Sequence, residues 1–95
     1  MTIDRAAVAR ICEANDIVRL RIFGSVARGE AGPDSDVDLI ADFGAPKSLL
    51  DLIRIEEEFA DALGQPVDLL TEAALSPYIR PHVLPEARVL YERAA

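Results

Sequence analysis

The sequence predicts an α/β (α+β) fold, a single small domain in which a mixed sheet of three to four strands is flanked by helices. Apolar residues recur at helical spacing near the N-terminus and in the middle of the chain, and they alternate with polar residues in the segments between. Alternating helices and strands around a small sheet are typical of this class. The chain has the length of one domain, so we expect residues 1–95 to form one unit.

The first elements are a helix and a strand. Thr2 can cap a helix that runs to about Asn15. Its apolar face comprises Ile3, Ala7, Val8 and Ile11. The segment 17–23 then alternates apolar residues with Arg19 and Arg21, which predicts a half-buried strand.

A second strand is predicted over "DVDLIADF", residues 36–43. Alternate residues point to opposite faces of a strand. One face carries Val37, Leu39 and Ala41. The other carries Asp36, Asp38, Ile40 and Asp42. Between the two strands, "SVARG" (25–29) predicts a short helix that starts at the Gly24-Ser25 turn, and "EAGPDS" (30–35) predicts a loop.

A longer helix is predicted from its cap, Ser48, to about Leu63, with Gly64 as the C-terminal cap. Its apolar stripe comprises Leu52, Ile55, Phe59, Ala62 and Leu63. Leu50 and Ile53 fall outside this stripe and are candidates for a partner surface.

The last third of the chain predicts two more strands. "QPVDLL" predicts the third strand, with Asp68 inside it. Ser76-Pro77 marks a helix start, but Pro81 and Pro85 lack amide donors, so the helix should be short or kinked. "RVLY" predicts a final short strand.

Composition limits the function classes. The single cysteine, Cys12, allows neither an internal disulfide nor a cysteine-based zinc site, and it is expected to be buried. This favours a reducing, cytoplasmic setting, and no segment approaches the ~20 apolar residues that span a bilayer. The net charge of −7 argues against strong direct nucleic-acid binding, which relies on Lys and Arg. An acidic protein can still handle nucleotides through a divalent metal.

Three aspartates at strand positions suggest a metal site. Asp36, Asp38 and Asp68 lie in or next to predicted strands, where aspartate is depleted. Clustered carboxylates repel one another unless a cation such as Mg²⁺ neutralises them, and two such metals are a recurring solution for displacement at phosphorus. Taken alone, the Asp-x-Asp pair is better explained as solvated acids on an exposed strand face, and it is the third aspartate, Asp68, that favours a metal site.

The turn before them suggests a phosphate site. Gly24 allows close backbone approach, and the predicted helix that starts at Ser25 offers free N–H groups and a positive dipole end. Arg28 could pair with a phosphate or, alternatively, form a structural ion pair. A Gly-Ser turn before a helix can also be a simple helix cap. The hypothesis of a phosphate site therefore depends on the combination of this turn with the aspartates.

"GSVARGEAGPDSDVDL" resembles the GSx10DxD signature of nucleotidyltransferases of the DNA polymerase β superfamily, and in detail the minimal nucleotidyltransferases (MNT-domain, MntA-like antitoxins). Gly24, Ser25, Asp36 and Asp38 fill the fixed positions. The similarity extends through "LGQPVDLL", with Asp68, to "SPYIRPHVLPEARVLYE".

The resemblance implies transfer of AMP from ATP to a hydroxyl, with two Mg²⁺ ions. Gly24 and Ser25 would hold the β and γ phosphates, and Asp36 and Asp38 would ligate both metals. Asp68 would ligate the catalytic metal and help to deprotonate the acceptor. The resemblance also implies a hetero-oligomer with a HEPN-domain ribonuclease toxin that is modified on a tyrosine. A catalytically silent antitoxin that occludes the toxin, or an enzyme acting on a small molecule or an RNA end, remain alternatives.

Overall fold

The computed structural model describes residues 3–24, 29 and 36–94. Its strands are β1 (Ile17–Phe23), β2 (Val37–Phe43), β3 (Val67–Leu70) and β4 (Arg88–Glu92). The α-helices in this part of the chain are α1 (Arg5–Ala14), α2 (Leu49–Leu63) and α3 (Arg80–Val83), and 3₁₀ turns occupy Glu72–Ala74 and Leu84–Glu86. None of the described helices has the length and apolar character needed to cross a membrane.

The strands form one mixed sheet in the order β3-β2-β1-β4. β1 is antiparallel to both β2 and β4, whereas β2 and β3 are parallel. Helices α1 and α2 cover one face, where their apolar side chains pack against alternate residues of the strands. The completely buried side chains of this core include Val8, Cys12, Leu20, Leu39, Ile55 and Phe59. The predicted α/β (α+β) class with a mixed sheet is therefore confirmed, with four strands.

The start of α1 differs from the prediction. The Asp4 side chain accepts a hydrogen bond from the backbone N–H of Ala7 at 3.1 Å, so the helix begins at Arg5 and its cap is Asp4 rather than Thr2. Aspartate is among the strongest helix caps, and from position 4 its side chain reaches a free backbone N–H of the first turn.

The ends of α2 are as predicted. The Ser48 hydroxyl accepts from the Asp51 N–H, and the Asp51 carboxylate accepts from the Ser48 N–H, both at 3.1 Å. These hydrogen bonds lower the pKa of Asp51 below its ordinary value. Gly64 ends the helix in the left-handed conformation, with a φ of 69°. The predicted apolar stripe is wrong at Ala62, because this residue is exposed.

The segment between β3 and β4 crosses the face of the sheet opposite α1 and α2, which we call the charged face. β3 and β4 form opposite edges of the sheet, so residues 71–87 must pass over one face. Arg21 of the charged face contacts Glu72 at the start of this segment. Ile40 and Leu75 are both buried outside the main core. Ile40 therefore shares a face with the aspartates, as predicted, but it is covered.

The C-terminal part confirms a short helix and a final strand. α3 is a single turn, but it begins at Arg80 rather than at Ser76-Pro77, and Pro85 lies in the 3₁₀ turn that follows it. The Arg80 guanidinium donates to the carbonyl oxygens of Glu72 and Leu75 at 3.3 and 3.1 Å. These contacts hold the preceding turn in place, so the regular helix starts only after it.

Candidate active site

The sheet places two of the predicted aspartates side by side. Asp38 of β2 is paired in register with Asp68 of the parallel strand β3. On its other side Asp38 is paired with Phe23, the last residue of β1. Neighbouring strands lie about 4.8 Å apart, so the Asp38 and Asp68 carboxyl groups are neighbours on the charged face. Asp36 directly precedes β2 and, like Asp68, is exposed.

The Gly24 turn lies directly against Asp38. Gly24 follows Phe23 with a φ of 74°, a left-handed conformation that favours glycine. A Cβ atom at this position would overlap Oδ2 of Asp38 and would lie 3.3 Å from its Cγ. Glycine is therefore required both by the backbone conformation and by the approach of the carboxylate.

The rest of the predicted phosphate cradle lies outside the described residues. This applies to Ser25, to Arg28, to the predicted helix 25–29 apart from Gly29, and to the loop 30–35. Their predicted roles in nucleotide binding stay predictions.

The donor chemistry of the aspartates suits Mg²⁺, which prefers carboxylate oxygens. Asp38 and Asp68 are paired neighbours on adjacent strands, and Gly24 lies next to the Asp38 carboxylate. Within the described ranges, however, no three acidic, histidine or cysteine side chains converge on one point that could hold a metal. The pair fits a shared cation, and the three-aspartate, two-metal platform stays a prediction.

The other end of the charged face carries acids that are paired with arginines. Arg19 Nε donates to Asp42 Oδ2 at 2.9 Å, and this hydrogen bond raises the pKa of Arg19 above its ordinary value. Arg21 Nη2 lies 3.0 Å from Glu72 Oε2 and 3.5 Å from Asp42 Oδ2. We call these four residues the ion-pair network. It ties β1 and β2 to the segment that follows β3.

The ion-pair network was not predicted from the sequence. Arg21 is the most enclosed member, with its side chain 11% exposed and its Nε buried without a hydrogen-bond partner among the described residues. The alternation of β1 placed Arg19 and Arg21 on the polar face, but Glu72 is 51 residues away in the chain. The only local signal was the presence of two arginines on a strand opposite Asp42.

The other singled-out residues lie away from the aspartates. Cys12 is completely buried, as predicted, and burial together with nearby Glu13 raises its thiol pKa to about 12. Leu50 and Ile53 are exposed, as expected for residues outside the buried stripe, at 78% and 44%.

Known proteins resemble the chain in both sequence and fold. Residues 5–90 match the family model "Nucleotidyltransferase domain". A Methanocaldococcus jannaschii protein, provisionally named a protein adenylyltransferase, is 44% identical over 71 residues, or 75% of this chain and 76% of that protein. Protein adenylyltransferase MntA of Thermococcus cleftensis is 46% identical over 65 residues, or 68% of this chain and 66% of that protein.

A solved structure extends the similarity at the level of the fold. It contains a tri-AMPylated Shewanella oneidensis HEPN toxin in complex with an MNT antitoxin. The matched chain has a TM-score of 0.71 and 16% identity, and the match covers 94% of this chain and 70% of that chain. From the family match over residues 5–90 and the sequence identity to these relatives, we conclude that the chain belongs to the nucleotidyltransferase domain family.

Proposed function

We propose that this chain is a Mg²⁺-dependent protein adenylyltransferase that acts as the antitoxin of a toxin–antitoxin pair. It transfers AMP from ATP to a tyrosine hydroxyl of a HEPN-domain ribonuclease toxin, with which it forms a hetero-oligomer in the cytoplasm. In this proposal residues 1–95 work as one catalytic domain, and the acceptor is supplied by the partner.

One observation carries the proposal: the Gly24 turn packs on Asp38, and Asp38 lies in register with Asp68. Family membership gives this arrangement a reaction class, nucleotidyl transfer. The names of the relatives favour a protein acceptor, since two of them are protein adenylyltransferases by name. The complex of an AMPylated HEPN toxin with an MNT antitoxin favours that class of partner.

In the proposed reaction the acceptor oxygen attacks the α-phosphorus of ATP. A new oxygen–phosphorus bond forms, the bond from the α-phosphorus to the bridging oxygen of the β-phosphate breaks, and pyrophosphate leaves. Asp68 accepts the proton of the acceptor hydroxyl. Gly24 and Ser25 hold the β and γ phosphates, and Arg28 pairs with a phosphate.

Asp36, Asp38 and Asp68 are the proposed ligands of two Mg²⁺ ions. When bound, the metals would neutralise charge that develops on the phosphate oxygens in the transition state. The three carboxylates of the chain would hold and orient the ions, and the exposure of Asp36 and Asp68 leaves these two side chains open to solvent and substrate.

The test uses the full chain with a HEPN-domain toxin as the candidate partner. Both are incubated with ATP labelled at the α-phosphate and Mg²⁺, and label on the toxin is measured together with its ribonuclease activity. We expect labelled, inhibited toxin, and a tyrosine that carries the added mass of AMP. The double variant Asp36→Ala, Asp38→Ala should give no label. A matched control, Glu57→Ala with Asp61→Ala, removes two exposed acids from α2 and should label normally.

The other outcomes separate the alternatives. Toxin that is inhibited without label would show a binding antitoxin and contradict the catalytic proposal. Label that enters an RNA end or a small molecule, but no protein, would keep nucleotidyl transfer and overturn the protein acceptor.

A further inference from the structure

β3, the strand that carries Asp68, is the shortest strand of the sheet. It has four residues, and it lies at the edge of the sheet, so only β2 pairs with it. A short edge strand exposes unpaired backbone groups and can shift or fray more easily than a central strand. The position of Asp68 therefore depends on what holds the free edge of β3.

A glutamate of α2 holds that edge. Oε2 of Glu56 accepts a hydrogen bond from the backbone N–H of Leu69 at 2.8 Å. Glu56 follows Ile55, which is completely buried in the main core, so its backbone is anchored on the core face of the sheet. The side chain reaches round the edge to a backbone donor that no strand pairs with. A hydrogen bond to a carboxylate is among the stronger ones in proteins.

The Leu69 N–H belongs to the peptide bond that directly follows Asp68. In β3 the carbonyl of Pro66 accepts from the Val37 N–H at 2.9 Å, so backbone groups of even-numbered residues point to β2. The Asp68 carbonyl thus points to β2, and the Leu69 N–H, on the other side of the same planar peptide, points to the free edge. Glu56 and β2 hold this peptide from opposite sides.

We propose that Glu56 is a positioning residue for Asp68. By fixing the peptide plane after Asp68, it sets the direction in which the Asp68 carboxyl group leaves the strand, and it keeps that group beside Asp38. Leu69 adds a second constraint on this peptide, because it is buried in the main core and only 6% exposed. Glu56 itself lies on the core side of the edge and does not touch the reacting atoms.

The inference rests on the proposed function for its kinetic test, because that function assigns Asp68 to proton transfer and metal binding. Phosphate binding by the Gly24 turn does not involve Glu56. Loss of the Glu56 hydrogen bond should therefore lower kcat for AMP transfer and leave KM for ATP largely unchanged. A general loss of folded protein would instead lower the amount of active enzyme and would appear in the thermal unfolding curve.

The kinetic experiment compares three variants of the full chain. Glu56→Ala removes the acceptor, Glu56→Gln keeps an acceptor oxygen, and Glu57→Ala removes the adjacent exposed acid as a matched control. We expect kcat to fall about tenfold or more in Glu56→Ala, with KM for ATP within about twofold, because small errors in position are costly in catalysis. Glu56→Gln should stay within about threefold of the unchanged chain, and Glu57→Ala should match it. An unchanged kcat in Glu56→Ala, or equal loss in Glu56→Gln, would overturn the inference.

A second readout does not depend on activity. Amide hydrogen exchange at Leu69 should become at least about tenfold faster in Glu56→Ala and stay unchanged in Glu57→Ala, because only the former exposes this donor. Unchanged exchange at Leu69 in Glu56→Ala would overturn the inference by itself. If the unchanged chain transfers no AMP to any partner, the proposed function fails, and the exchange experiment alone decides whether Glu56 holds the Asp68 peptide.

Discussion

The two ends of the charged face carry acids in opposite surroundings. At one end Asp42 and Glu72 are paired with Arg19 and Arg21 in the ion-pair network. At the other end, next to Gly24, Asp36 and Asp68 are exposed and form no ion pair with another described residue, and Asp38 lies beside Asp68. The chain thus neutralises Asp42 and Glu72 with its own arginines, whereas Asp36 and Asp68 form no ion pair with a described residue.

Under the proposed function, this difference separates acids that support the fold from acids that take part in the reaction, on the same face of the same sheet. Acids that serve the fold are compensated by arginines, since unpaired charges that are partly buried destabilise a protein. Acids that serve a metal must stay accessible, and their mutual repulsion favours cation binding. Changes at the aspartate end should therefore affect activity, and changes at the network end should affect stability.

The largest effect is expected from Asp38→Asn. We predict that AMP transfer falls by about 100-fold or more, a loss similar to the removal of one group that stabilises transition-state charge. The thermal unfolding midpoint should change little, because asparagine keeps the shape of the side chain and an acceptor oxygen while a negative charge is removed next to Asp68. Steady-state transfer rates and a thermal melt check both parts. A large fall in the thermal unfolding midpoint together with the loss of transfer would contradict the separation of activity at one end from stability at the other.

Gly24→Ala should combine both kinds of effect. An alanine at this position would have to keep a backbone φ near 74°, and its methyl group would overlap the Asp38 carboxylate. Either the turn or the carboxylate must therefore move. A left-handed conformation costs an alanine about 1–2 kcal/mol, and we expect about that loss of unfolding free energy together with at least a tenfold loss of transfer. Urea unfolding measures the loss of unfolding free energy, and steady-state transfer rates measure the loss of activity. Gly64→Ala is the matched control, because φ is 69° there but, apart from the adjacent chain, no atom of the described residues lies within 4 Å of the added Cβ, so it should lower stability alone.

Asp42→Asn should affect mainly stability. It leaves Arg21, with its side chain 11% exposed, without one of its two acidic partners, and it weakens the hydrogen bond from Arg19. Because Asp42 is partly exposed, we expect a loss of about 1–2 kcal/mol of unfolding free energy, less than for a fully buried pair. AMP transfer should remain within about threefold. A transfer loss as large as that of Asp38→Asn would show that the network end also takes part in the reaction.

The smallest effect is expected at the start of α2, away from both ends of the face. Ser48→Ala removes the helix cap and should cost about 1 kcal/mol at pH 7 without changing transfer. The pKa of Asp51 is lowered in the folded state, so its interaction with Ser48 stabilises the fold above the unfolded-state pKa and is lost as pH falls through the folded-state value. The stability difference between Ser48→Ala and the unchanged chain should therefore shrink between pH 5 and about pH 3, as measured by urea unfolding.

Much of the fold could be predicted because its signals are local. The alternation of residues 17–23 and 36–43 gave the strands, and Ser48 and Gly64 gave the ends of α2. The same alternation placed Asp36 and Asp38 on one face. The local signal misled at the start of α1, where the sequence predicted Thr2 as the cap but the Asp4 side chain makes the capping hydrogen bond.

What could not be predicted depends on contacts between distant segments. No periodicity indicates that Arg21 meets Glu72, or that the segment before β4 covers Ile40. The register of Asp38 with Asp68 requires the parallel pairing of β2 with β3, and the hydrogen bond from Leu69 to Glu56 requires α2 to pack beside that edge. These features follow from how the elements pack, which is set by the whole core.

The central claim, that the aspartate end of the charged face binds the nucleotide with its metal, can be tested without a partner. The measurement is the thermal unfolding midpoint of the chain with and without Mg²⁺ and AMP-PNP. A ligand that binds only the folded state raises this midpoint. We predict a clear increase for the unchanged chain and for Asp42→Asn, and none for Asp38→Asn. An equal increase for Asp38→Asn would contradict the account.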